Sequence, residues 1–403
     1  MRGSRSRIVL PLLLALAAVA PSSADDVRRI PAVPRFGLAY WHTMPAEMAV
    51  PVFDAASVAI GEQLVVLGGA TESMTATPAI QVRSPNYGWQ PVGSNLLESR
   101  ARASITPLGG DRYLVLGGWS GTWGVDATQR ADGEILAPLV AGSSKPVAPW
   151  PEPLEGHTAT RMPDGRIAVV CGCRLRIFDP RLEAWTAEIE LERERRFHAA
   201  TAIGWNLVLV GGDLEGTIES VWLGSGDAHG ELWDARLTSR LDESSAIAIN
   251  ERFAFVVGGF DPDTNRTTAD TLILDTARRT LRPGPPLADA RGACDVALSM
   301  HPRGVIALCG EWRDHTARGA SETALLFRPL APRHEMRRWS LPPLPSIGGF
   351  ARRMAVPRPD GTVELLGGYR FVADGDALPD GRSGIVLDDS NQRLVVDVAG
   401  TAD

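Results

Sequence analysis

Lysine is all but absent: Lys145 is the only one in 403 residues, and arginine carries the rest of the positive side-chain charge. With a formal net charge of −7 and no run of basic residues, the chain lacks the footprint that attracts nucleic acid or an anionic membrane surface. Past the first 20 residues no apolar run approaches the roughly 18 residues of a membrane-crossing helix. Cysteine and tyrosine are scarce, four of each. No H-x-x-x-H pair, G-x-S-x-G elbow or phosphate-cradling loop occurs, so the local signatures of zinc, serine-nucleophile and nucleotide chemistry are all missing. No cofactor and no metal is expected on these grounds. What the chain does have is 41 Gly and 30 Pro, dispersed rather than clustered, which favours many short strands joined by turns.

Residues 1–24 read as a secretory signal. Arg2, Arg5 and Arg7 precede the apolar run IVLPLLLALAAVA, and small residues follow up to Ala24, the order that a signal peptidase recognises. The run is too short to span a bilayer core, which takes about 20 residues. The expectation is cleavage at about Ala24, export to the periplasm or the exterior, and no stable membrane anchor.

One unit returns along the remainder: a short apolar run closed by a glycine pair. It reads LVVLGG at 64–69, YLVLGG at 113–118, IAVVCGC at 167–173, LVLVGG at 207–212, FAFVVGG at 253–259, VIALCGE at 305–311 and VELLGG at 363–368. Cys173 and Glu311 replace the second glycine in two copies. Successive copies lie 39 to 57 residues apart, a spacing of four-stranded propeller blades rather than of shorter helical repeats. Ahead of each marker stand a second short strand and a tight turn such as Pro-Asp-Gly. Behind it come outer-hairpin segments such as LRIFDPRLEAW at 175–185. The expected fold is all-β: a propeller over 45–400, four antiparallel strands per blade. Seven blades follow from seven markers, six if one marker is coincidental. In the last unit the strands fall at 350–358, 362–368, 382–387 and 393–398, and residues 25–44 either cap the ring or join its closing blade.

The diglycine after an apolar run, an aspartate in the next strand and a tryptophan further on (Gly172, Asp179 and Trp185 in the third copy) resemble the kelch-repeat family of β-propellers. The resemblance implies an adaptor, a carbohydrate binder or an enzyme, since one fold hosts all three. Of the enzymes, the copper oxidase of the family finds no matching motif around Tyr40, Tyr87, Tyr113 and Tyr369. A sialic acid mutarotase or epimerase suits the size and compartment.

In a propeller the first strand of each blade lines the channel. Aligned there, His157, His198 and Asp295 share a column with Ser244 and Arg353, flanked by Glu155, Glu243, Arg291 and Arg352. Such a ring suits a small polar or anionic ligand, because guanidinium forks bind carboxylates bidentately; for the isomerase, Glu155 or Glu243 would be acid or base. The plainer reading is hydrogen bonding between blades. Trp119, Trp123 and Trp312 follow their markers and form a candidate aromatic rim for sugar rings or partner side chains. The function expected is binding, through rim loops and channel mouth, of a protein or carbohydrate by a monomeric ring; the alternative is the isomerase. Cys294 and Cys309 flank one hairpin and are a candidate disulfide, four buried thiols being the other reading.

Overall fold

A computed structural model describes residues 39–44, 47–224, 228–291, 297–301, 304–308, 310–315, 317–320, 324–330, 338–340, 352–358, 360, 362–371, 385–387 and 391–396. The signal-like segment, Asp295 and both candidate disulfide cysteines, Cys294 and Cys309, lie outside these residues. Among the described residues every regular element is a strand.

Seven sheets each start from one marker hairpin. In the first, Ala56–Ile60, Gln63–Leu67, Ala79–Ser84 and Gly88–Asn95 pair in chain order, all antiparallel. The inner strands of sheets two to seven are Ser104–Gly109, Thr158–Arg161, Ala199–Ile203, Ser245–Ala248, Ala297–His301 and Met354–Pro357. Each lies beside the inner strand of the next sheet, and the seventh lies beside the first. Sheet three corrects the expectation of four strands per blade: it has three, Thr158–Arg161, Ile167–Asp179 and Ala184–Arg195, because Ile167–Asp179 runs unbroken through its marker, with an irregularity between Gly172 and Arg174.

The apolar runs are continuous because their strands are buried on both faces. Leu64 and Val66 pack against Met354, Val356 and Leu366 of sheet seven. The alternate residues Val65 and Leu67 pack against Tyr113, Val115 and Leu136 of sheet two. Such a cluster sits between every consecutive pair of sheets, so the core is distributed around the ring.

The marker glycines are explained by what docks on them. Gly211 has φ 65°, and a Cβ there would stand 2.1 Å from the carbonyl oxygen of Leu241, ahead of the next sheet. The following amide, Gly212 N–H, donates to that same carbonyl at 3.0 Å. Gly69 and Arg100, Gly259 and Arg291, and Gly368 and Val52 repeat the bond. Gly172 meets only a Glu152 carboxylate oxygen at 3.3 Å, and the Cys173 that follows it is exposed.

The closing sheet differs from the sequence expectation. Its order is Met354–Pro357, Val363–Leu366, Asn391–Val396 and then Ala39–Thr43 from the chain's beginning. The strand expected at 382–387 lies elsewhere: Ile385–Leu387 pairs with Tyr369–Phe371 in a separate hairpin.

Candidate functional site

The start of an inner strand and the end of its antiparallel neighbour share one end of each sheet, as Ala56 opposite Leu67 shows. Segments preceding inner strands and segments following markers therefore meet at the same mouth. Two residues before each of six inner strands stands a residue in the left-handed region: Asp54 (φ 53°), Arg102 (58°), Gly156 (60°), Phe197 (55°), Glu243 (52°) and Arg352 (53°). For a non-glycine residue this conformation costs about 1–2 kcal/mol, and five repetitions at one mouth call for a compensating role. Backbone bonds link some of them around the ring: Arg102 N–H to Asp54 O at 2.7 Å, Phe197 N–H to Gly156 O at 2.8 Å, Glu243 N–H to Phe197 O at 2.6 Å.

All six border a cavity of about 780 Å³. Segments after the markers add Met74, Trp119, Trp123, Glu311, Arg313 and Tyr369. Glu311 and Arg313 are carried by Glu311–Asp314, part of a four-stranded rim sheet that joins the post-marker segments of sheets five and six.

Six of the charges in this cavity close on themselves, while Glu155 and Arg353 line it outside the cycle. Asp54 is 3.9 Å from Arg102 and 3.2 Å from Arg352; Glu243 is 3.3 Å from Arg102 and 3.8 Å from Arg313; Glu311 is 3.0 Å from Arg313 and 3.8 Å from Arg352. Three carboxylates and three guanidiniums thus alternate in a cycle, and the Arg102–Glu243 pair joins sheets two and five. Glu243 Oε2 and Glu311 Oε2 are buried, and neither accepts a hydrogen bond from the described residues; each is met only by a guanidinium at 3.8 Å.

The aromatic side is built as firmly. Trp119 is 3% exposed and Trp123 52%, edge to face with ring centroids 5.5 Å apart. Trp123 N–H donates to Met74 O and Ala76 N–H to Gly121 O, both at 2.9 Å, so the post-marker loops of sheets one and two brace each other. Trp312 lies in the rim sheet; its side chain is outside the described part.

The residues singled out from sequence divide. Glu155, His157, Glu243, Arg352, Arg353, Trp119 and Trp123 line the cavity; His198 and Arg291 do not. Arg291 is fully buried and ion-paired with Asp289. It holds the same place ahead of its sheet as Arg100 and Arg195, whose guanidiniums bond the marker carbonyls of Gly117 at 3.0 Å and Gly211 at 2.8 Å. Arg100 and Arg195 thus fasten markers with their side chains, and Arg291 does so with its backbone carbonyl, which accepts from Gly259 N–H at 3.0 Å. Sequence reasoning had missed Asp54, Phe197 and Arg313 altogether, and had met Glu311 only as a broken diglycine.

The two histidines are clasps between sheets. His157 Nδ1–H donates to Leu154 O at 3.1 Å, since a carbonyl only accepts, which leaves Nε2 to accept from Ser104 Oγ at 2.8 Å. His198 Nε2 meets Thr158 Oγ1 of the preceding sheet at 2.7 Å. Burial holds their pKa values down, to about 4 for His157 and about 3 for His198, where the Arg195 charge adds to the effect. An unfolded imidazole protonates below about 6.5 while these do not, so the stability they confer is full above that pH and is lost as pH falls toward 4. The melting temperature is expected to drop between pH 7 and pH 5, and less steeply in His198→Gln; parallel curves would refute the assignment. Of the cysteines, Cys171 is buried and Cys173 exposed, both as free thiols. Burial pushes the Cys171 thiol up to about 11.

No family model matches the chain, and no curated protein does. Among solved structures it is similar to YjhT, with TM-score 0.55 and 12% identity over 72% of this chain and 98% of that one. It is also similar to a fungal alcohol oxidase of the AA5 family in complex with copper, with TM-score 0.66 and 15% identity over 90% of this chain and 77% of that one. The sheets and these likenesses together make the fold β-propeller-like. The residues here do not fit a copper ion: both nitrogens of His157 are engaged, and among the described residues no three His, Cys, Asp or Glu side chains are grouped to hold a metal.

Proposed function

We propose that the chain is an exported, seven-bladed propeller of kelch type, each blade but the three-stranded third built on four strands, that binds a neutral saccharide in the pocket at one mouth of its channel. The observation that carries this is the cycle of alternating charges beside an aromatic wall. A sugar hydroxyl both donates and accepts, so carboxylate and guanidinium side by side satisfy it twice, with charge-assisted bonds. The Glu243 and Glu311 carboxylates line the cavity, and their Oε2 atoms, buried and short of donors, gain a hydroxyl partner once the guanidinium 3.8 Å from each shifts aside, which relieves a deficit of roughly 1–3 kcal/mol each. Indole faces take the apolar face of a sugar ring.

Charge balance favours a neutral ligand. Arg102, Arg313 and Arg352 are each neutralised by carboxylates within the cycle, so an anionic ligand would have to displace a carboxylate. The mutarotase-like reading would have to rest on Glu155 and Arg353, which line the cavity outside the cycle, because Glu243 is held between Arg102 and Arg313. Binding is therefore preferred to isomerisation of an acidic sugar.

A glycan array probed with the mature chain is expected to retain neutral glycans; retention of acidic glycans alone, or of none, would overturn the reading. Trp123 is half exposed, so Trp123→Ala should leave the melting temperature unchanged. It should weaken a neutral array hit about tenfold, the worth of one aromatic contact of ~1.4 kcal/mol; unchanged affinity in calorimetry would remove the stacking face from the account. For export, sequencing the secreted protein's N-terminus should begin at Asp25.

A further inference from the structure

We infer that the pocket takes the end of a saccharide chain rather than a single sugar, and that the rest of the chain leaves over sheets three and four; this rests on the saccharide reading above. The wall around the mouth is uneven. Post-marker segments supply Met74, Trp123, Glu311 and Tyr369 from sheets one, two, six and seven. Sheets three, four and five contribute only residues that precede their inner strands, such as Glu155, Phe197 and Glu243, but beyond the marker of sheet five stands the rim strand Phe260–Asp261. The cause is local: Ile167–Asp179 passes through its marker without any loop, and only a short segment separates Asn206–Val210 from Thr217–Trp222. Cys173, at the marker position where the second sheet carries the cavity-lining Gly118, is consequently exposed.

Size points the same way. A cavity of about 780 Å³ lies in the upper part of the ~300–1,000 Å³ range of small-molecule pockets, more than one sugar ring fills. A compact volume closed on one side and low on the other fits a terminus lying in the pocket with its continuation crossing the low side.

The test is calorimetric titration of the mature chain with four neutral series, α-1,4-glucose, β-1,4-glucose, β-1,4-mannose and β-1,4-N-acetylglucosamine, each from one to five residues. In at least one series Kd should fall at least tenfold between one and three residues and then level off. Binding that is independent of length would overturn the chain-end inference and leave the saccharide reading standing; no binding in any series would overturn both. Attaching a bulky polyethylene-glycol maleimide at the exposed Cys173, with Cys173→Ser as the unmodified control, should erase the gain from the second and third residues while sparing the single sugar. A modified protein that keeps the full gain would contradict the exit route.

Discussion

Glu364→Gln should cost about 3–5 kcal/mol of folding stability, the usual penalty for removing one side of a buried ion pair. Glu364 is fully buried in sheet seven. Its carboxylate holds Arg83 of sheet one at 2.8 Å, Arg393 of its own sheet at 2.7 Å and Arg358 at 3.4 Å. Gln keeps the shape and removes the charge, leaving three guanidiniums facing one another where the two ends of the chain meet. Burial already pulls the Arg83 pKa below its ordinary value, and Glu364 offsets that. Denaturant unfolding measures the loss directly, and adding Arg83→Met should recover part of it because one stranded charge is then gone. A loss under about 1 kcal/mol would mean that the sheet-seven to sheet-one junction does not depend on this cluster.

Gly211→Ala should be worse still, beyond the ~4 kcal/mol that marks exceptional single substitutions. The new methyl carbon would sit 2.1 Å from a backbone carbonyl that is itself fixed by the Gly212 amide, so neither side can yield without parting two sheets. Gly204→Ala is the control. Gly204 has φ 56° but no atom within 4 Å of an added Cβ, so only the left-handed strain of about 1 kcal/mol applies. Equal losses in the two variants would show that conformation alone, and not sheet docking, explains the marker.

The repeat was legible because docking repeats: a glycine is demanded wherever the next sheet's backbone lies on the marker, and sequence records each instance. The closure was legible only as one of two alternatives, since Ala39–Thr43 carries no marker and joins its sheet only through pairing with a strand some 350 residues away. Residues 385–387 satisfy a strand pattern equally well in a rim hairpin, which is why they were misplaced. At the site, aligning inner strands reached Glu243 and Arg352 but passed over Asp54 and Phe197. The left-handed position accepts Asp, Arg, Gly, Phe and Glu alike, so it leaves no residue signature. Glu311 was visible only as a break in the diglycine; the break puts a carboxylate where a glycine would leave the charge cycle open. Arg291 and Arg352 look alike in sequence, yet the former fastens a marker and the latter faces the cavity.

The most direct test of the pocket is a crystal structure of the mature chain soaked with the tightest neutral glycan from the array. Sugar density is expected at the mouth, with hydroxyls within hydrogen-bond distance of the Glu243 and Glu311 carboxylates and one ring against Trp123. Density confined to the outer strands, with the cycle of charges unchanged and untouched, would contradict the account.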